Sequence, residues 1–217
     1  MPPILTVSEN TRLYKFIRYL EPAIGRTPYW TWQDGIIPDG PGAYAVNKRV
    51  PEISVVISGG MFCAAVPNLA LRCDGKRIPF RPNFPDLRYD GGIAAYFYGV
   101  YGAGYFTGYD EPFDLARAKN WARETRSGVL LGRGYWGKAL WQQGHVAILL
   151  PSGYVLQSTP AGGLNWNNHI DSEWQGWEYN NGVMVHPSNW IEYEQEDDMA
   201  DWAKEAGEPS PGRCVGY

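Results

Sequence analysis

Two residues of this 217-residue chain, Cys63 and His145, have the side chains and settings that nucleophilic catalysis needs. Cys63 follows Gly59-Gly60-Met61-Phe62 and opens a run, residues 61–72, that is helical in composition except at Pro67. A thiol at a helix N-terminus feels the positive end of the helix dipole, and a nearby imidazole lowers its pKa further. The thiolate is the reactive form, so this placement suits attack on a carbonyl carbon. His145 stands in Gly144-His145-Val146-Ala147-Ile148-Leu149, at the start of an apolar run that reads as a buried strand. A base carried on a strand is held rigidly for proton transfer. Taken singly, a cysteine on a helix is more often a small buried hydrophobe, and a histidine beside a strand is more often structural. The arrangement of the two carries the reading.

A third group should orient the imidazole, and hairpin geometry names it. The apolar runs 145–150 and 154–158 are separated by Pro151-Ser152-Gly153. A two-residue loop would pair Gln157 with Ile148 and put its side chain on the face opposite His145. A three-residue loop with Gly153 in the left-handed region pairs Gln157 with Ala147, on the face of His145 and diagonal to it. Glycine at the third loop position favours the second version, so Gln157 is the expected orienter.

The elements that must hold these groups are of mixed type. Leu13, Phe16, Ile17 and Leu20 recur at helical spacing after Ser8-Glu9-Asn10, which predicts an amphipathic helix closed by Pro22 and Gly25. Residues 26–51 are rich in Gly, Pro and aromatics and read as ordered loop. Ile53–Ile57 is a short β-branched run ended by Ser58-Gly59-Gly60. Residues 112–125 predict a short helix, and 129–131 and 182–185 predict strands. The expectation is one α+β domain over residues 1–193 with an insertion around 74–127, followed by an acidic tail over 194–217.

Composition narrows the function classes. Hydrophobic residues make up 44% and charged residues 19%, enough apolar surface for a core. A net charge of -4 carries no basic footprint of a nucleic-acid binder. Three cysteines (Cys63, Cys73, Cys214) without CxxC spacing argue against a disulfide framework or a zinc site. His169 and His186 have no metal-binding spacing with His145; His186 reads as structural, and His169 lies in a polar, aromatic stretch that could face substrate. No metal and no cofactor is expected. The N-terminus has neither a basic region nor a long apolar run, so no signal peptide and no membrane insertion are expected.

The loop Pro28-Tyr29-Trp30-Thr31-Trp32, the later cysteine opening a helix, Gly-His-Val-Ala-Ile at 144–148 and a polar residue twelve positions after the histidine together resemble the NlpC-type cell-wall peptidases. These are compact papain-like enzymes related to the CHAP amidases. The resemblance covers roughly residues 8–160, in patches. It implies a papain-like fold with N-terminal helices packed on a small antiparallel sheet. It also implies cleavage of amide bonds in peptidoglycan stem peptides through an acyl-enzyme. In that scheme Cys63 is nucleophile, His145 general base and acid, and Gln157 orienter. Tyr29 would place a hydroxyl near the thiolate or oxyanion, with Trp30, Trp32 and His169 as further substrate-side candidates. The partner implied is bacterial peptidoglycan and the expected state is a monomer. Without a signal peptide, such an enzyme is expected to be made in the cytoplasm and to reach the wall by holin-type release as a phage endolysin, or to be virion-associated. Where the family has Asp-Cys-Ser-Gly, this chain has Phe62-Cys63-Ala64-Ala65. Two alternatives therefore stand: a papain-like amidase or acyltransferase acting on a small molecule or lipid, and a catalytically inactive wall-binding or virion module.

Overall fold

The computed structural model describes residues 3–29, 52–61, 63, 66–67, 69–70, 110–134, 144–178 and 182–192. They form an α+β arrangement of four α-helices and one six-stranded antiparallel sheet. The helices are α1 (Arg12–Leu20), α2 (Ile53–Gly59), α3 (Leu115–Thr125) and α4 (Ile170–Glu178). The strands are β1 (Asp110–Pro112), β2 (Val129–Gly134), β3 (Gly144–Leu149), β4 (Tyr154–Thr159), β5 (Gly163–His169) and β6 (Val183–Val185). Their order across the sheet is β1-β6-β2-β3-β4-β5. None of the helices among the described residues is long and apolar enough to cross a membrane.

Strand alternation sends successive side chains to opposite faces, and each face is buried by its own helices. On the first face Leu130, Val146, Ile148 and Leu156 meet the apolar stripe of α1, whose Leu13, Phe16, Ile17 and Leu20 are fully buried. On the second face Val129, Leu131, Ala147 and Leu149 meet Ala118 and Ala122 of α3 and Ile170 and Trp177 of α4. Alanine at two adjacent turns lets α3 approach the sheet closely.

The N-termini of α1 and α3 are capped by side chains. Thr11, rather than the Ser8 group, caps α1 and accepts from the Tyr14 N–H at 3.2 Å. The Glu192 carboxylate adds bonds from the Arg12 and Leu13 N–H groups at 3.0 and 3.2 Å, which puts negative charge at the positive end of the helix. Asp114 caps α3 through the Arg117 N–H at 2.8 Å.

Two local expectations are corrected. The β-branched run 53–57 is helical, with Val56 buried in the first-face core and Gly60, at φ 76°, ending the helix. Burial of one face outweighs the small helix penalty of valine and isoleucine. Residues 163–178 supply β5 and α4, so the polar, aromatic stretch around His169 is strand and helix rather than loop. The tail over 194–217 and most of the expected insertion lie outside the described residues.

Candidate functional site

The β3–β4 hairpin sets the geometry. Leu150 and Tyr154 close a three-residue loop: the Leu150 N–H donates to Tyr154 O and the Gly153 N–H to Leu150 O, both at 2.9 Å. Gly153 has φ 86°, a conformation that an L side chain resists. Ile148 then faces Leu156 and Leu149 faces Val155, so the register carries Gln157 opposite Ala147. Gln157 shares the second face with His145, and its Oε1 lies 2.6 Å from His145 Nε2. Both side chains are buried.

Around this pair stand three residues that the chain's motifs do not announce. Arg133 of β2 is directly opposite His145 in register, and its guanidinium lies 4.8 Å from the centre of the Trp177 ring. The His145 ring packs on the same indole with centroids 5.6 Å apart. Glu173, one turn before Trp177 on the inward side of α4, accepts from Gln157 Nε2 at 3.3 and 3.4 Å and from Asn168 Nδ2. Gly176 lets this layer close, because a Cβ there would run into the Arg133 guanidinium.

Burial, the largest influence, pushes the His145 pKa down from 6.5 to about 4; the bond to Gln157 opposes this and the charge of Arg133 adds to it. The imidazole is therefore neutral at pH 7. Such a ring, with one nitrogen engaged by Gln157, has the other available for proton transfer. A negative charge formed beside that nitrogen would raise its basicity.

Cys63 is not in a disulfide. Its carbonyl accepts from the Val66 N–H at 3.4 Å, and residues 66, 67, 69 and 70 that follow are helical. Pro67, four residues after Cys63, has no N–H to give the Cys63 carbonyl, whose donor is the Val66 N–H instead. The segment is tied to the sheet by Ser158, whose hydroxyl donates to Met61 O at 2.6 Å. Tyr29 joins it there through a parallel bridge to Met61.

Cys63 packs against the first-face core with α1, while the His145 imidazole and Gln157 lie on the second face. The structure brings together His145 with Gln157 and, separately, the Cys63 segment with Tyr29 through the bridge at Met61. Ser158 follows Gln157 directly, so the two pairs are anchored at consecutive residues of β4 through opposite faces.

His169 joins neither pair. It faces Tyr154 in the β4–β5 register, stacks edge-on against that ring at 5.2 Å and contacts Asp171. That is the turn end of the hairpin, five residues along β4 from the level of His145, or roughly 16 Å. Trp30 and Trp32 lie outside the described residues, as do Cys73 and Cys214. Among the described residues no group of three or more His, Cys, Asp or Glu is placed to hold a metal ion.

Glu173 and Trp177 could have been found from Ile170, Glu173, Trp174 and Trp177, which fall at i, i+3, i+4 and i+7. Arg133 gives no such signal, because its role comes from strand pairing across 12 residues. Comparison with protein-family models, curated proteins and solved structures returns no match for this chain.

Proposed function

We propose that the protein is a papain-like cysteine hydrolase that cleaves amide bonds in bacterial peptidoglycan stem peptides, with His145 as base and Gln157 as its orienter. The observation that supports this most is the 2.6 Å contact between His145 Nε2 and Gln157 Oε1, from the strand and the register that orientation of a catalytic imidazole requires. With Nε2 donating to the amide oxygen, Nδ1 keeps a lone pair and takes the proton of the nucleophile. Cys63 attacks the scissile carbonyl, the amine leaves with a proton from His145, and water activated by the same imidazole releases the acyl group. For this the thiol must meet Nδ1 around the Gly144 end of β3. Met61 is fixed beside Gln157 by Ser158, and the two residues from it to Cys63 span at most about 7 Å.

Insoluble peptidoglycan incubated with the wild-type chain should release fragments with new amino termini, read by mass spectrometry. Cys63→Ala and His145→Asn should each slow release at least about 100-fold. A Cys63→Ala variant as fast as wild type would overturn the mechanism.

The packing of Cys63 against the first-face core, with the His145 ring on the second face, favours a second reading, a non-catalytic wall-binding or virion module. In that case the wild-type chain sediments with peptidoglycan and leaves it uncut.

A further inference from the structure

The bond between His145 and Gln157 has a polarity that neither residue determines alone. A primary amide turned over presents NH2 where it had presented oxygen, and an imidazole can carry its proton on either nitrogen. Two arrangements are equally bonded. In one, Nε2–H donates to Oε1 and Nδ1 keeps its lone pair; in the other, Nε2 accepts from the amide NH2 and Nδ1 carries the proton.

We propose that Glu173 selects the first arrangement, acting as a positioning residue that locks the Gln157 amide and through it the tautomer of His145. An ionised carboxylate holds no hydrogen and can only accept. Glu173 reaches Gln157 Nε2 with both oxygens, at 3.3 and 3.4 Å, so the amide NH2 faces the carboxylate and Oε1 faces the imidazole. A turned amide would set two acceptors against each other and lose a hydrogen bond to a charged group, a bias of roughly tenfold to a hundredfold. Asn168 Nδ2 donates to Glu173 Oε1 from β5, which holds the carboxylate in place. The placement is built into α4: Glu173 lies three residues after buried Ile170 and four before buried Trp177, on the side turned to the sheet.

For catalysis the consequence rests on the hydrolase reading, since a protonated Nδ1 could not accept the thiol proton. The tautomer itself is independent of that reading. It is measured on the full chain with 15N-labelled histidine at pH 7.5, the His145 signals being assigned by their absence in His145→Asn. Wild type should show the proton on Nε2. In Glu173→Gln, which keeps the shape and can donate as well as accept, the Nδ1–H form should rise at least roughly tenfold relative to the Nε2–H form. The exchange variant Gln157→Glu/Glu173→Gln restores an acceptor at Nε2 and should return the proton there. An unchanged tautomer in Glu173→Gln would overturn the proposal. So would an exchange variant that fails to restore Nε2–H. Because the spectrum reports the tautomer whether or not peptidoglycan is cut, loss of the lock and loss of the hydrolase reading are separate outcomes.

Discussion

On the first face of the sheet Leu130, Val146, Ile148 and Leu156 pack against α1, and Ser158 gives its hydroxyl to a backbone carbonyl. The second face is apolar where α3 and Ile170 of α4 pack on it. Toward the Gly144 end of β3 it changes to a bonded layer of His145, Gln157, Glu173 and Arg133 around Trp177. Both faces are buried, yet by different physics. The first gains from removing hydrocarbon from water. The second carries polar groups that are costly to bury, with the His145–Gln157–Glu173 chain hydrogen-bonded throughout. A protein does not need such a layer for stability, and its concentration on one end of one face marks that end as the candidate site.

The largest effect should come from the first face. Phe16→Ala removes a fully buried ring from the α1 stripe and should cost about 3–5 kcal/mol in urea unfolding. A loss below about 1 kcal/mol would mean that α1 does not close that core.

Acid should act on the second face. Above pH 6.5 His145 is neutral in the folded and the unfolded chain alike. Between 6.5 and about 4 only the unfolded chain takes up the proton, so stability falls as pH falls through that window, by about 3 kcal/mol from this group. Unfolding measured from pH 8 to pH 4 should show this slope in wild type and a shallower one in His145→Asn. His186, also shifted down chiefly by burial, contributes in the same direction in both proteins. Equal slopes would place His145 in a wetter setting than the second face provides.

A smaller effect is expected from Gln157→Leu, which leaves the His145 N–H buried without its acceptor. About 1–3 kcal/mol should be lost, less than from Phe16→Ala, while peptidoglycan release should fall much more. A variant that loses stability but keeps full activity would make the polar layer purely structural.

How much of this was legible beforehand depends on how local each signal is. Gly153 and the lengths of the flanking runs are enough to set the hairpin register, and with it the meeting of Gln157 and His145. The α1 stripe is equally plain in the spacing of Leu13, Phe16, Ile17 and Leu20. By contrast, Ile53–Ile57 looks like strand because its β-branched residues mask a helix made worthwhile by burying Val56. Helix α4 has only a thin apolar stripe, because Glu173 and Gly176 share its inward side with Ile170 and Trp177 and meet Gln157 and Arg133 there. The face on which Cys63 packs follows from Ser158 holding Met61 across 97 residues of chain. No local pattern encodes such a pairing.

Whether thiol and imidazole act together is tested most directly by alkylation of Cys63 with iodoacetamide at pH 7, followed by mass spectrometry of the peptide that carries it. The hydrolase account predicts that Cys63 reacts much faster than a model thiol, and that His145→Asn brings its rate down to the model value or below. A Cys63 rate that is slow in wild type and unchanged by His145→Asn would contradict it.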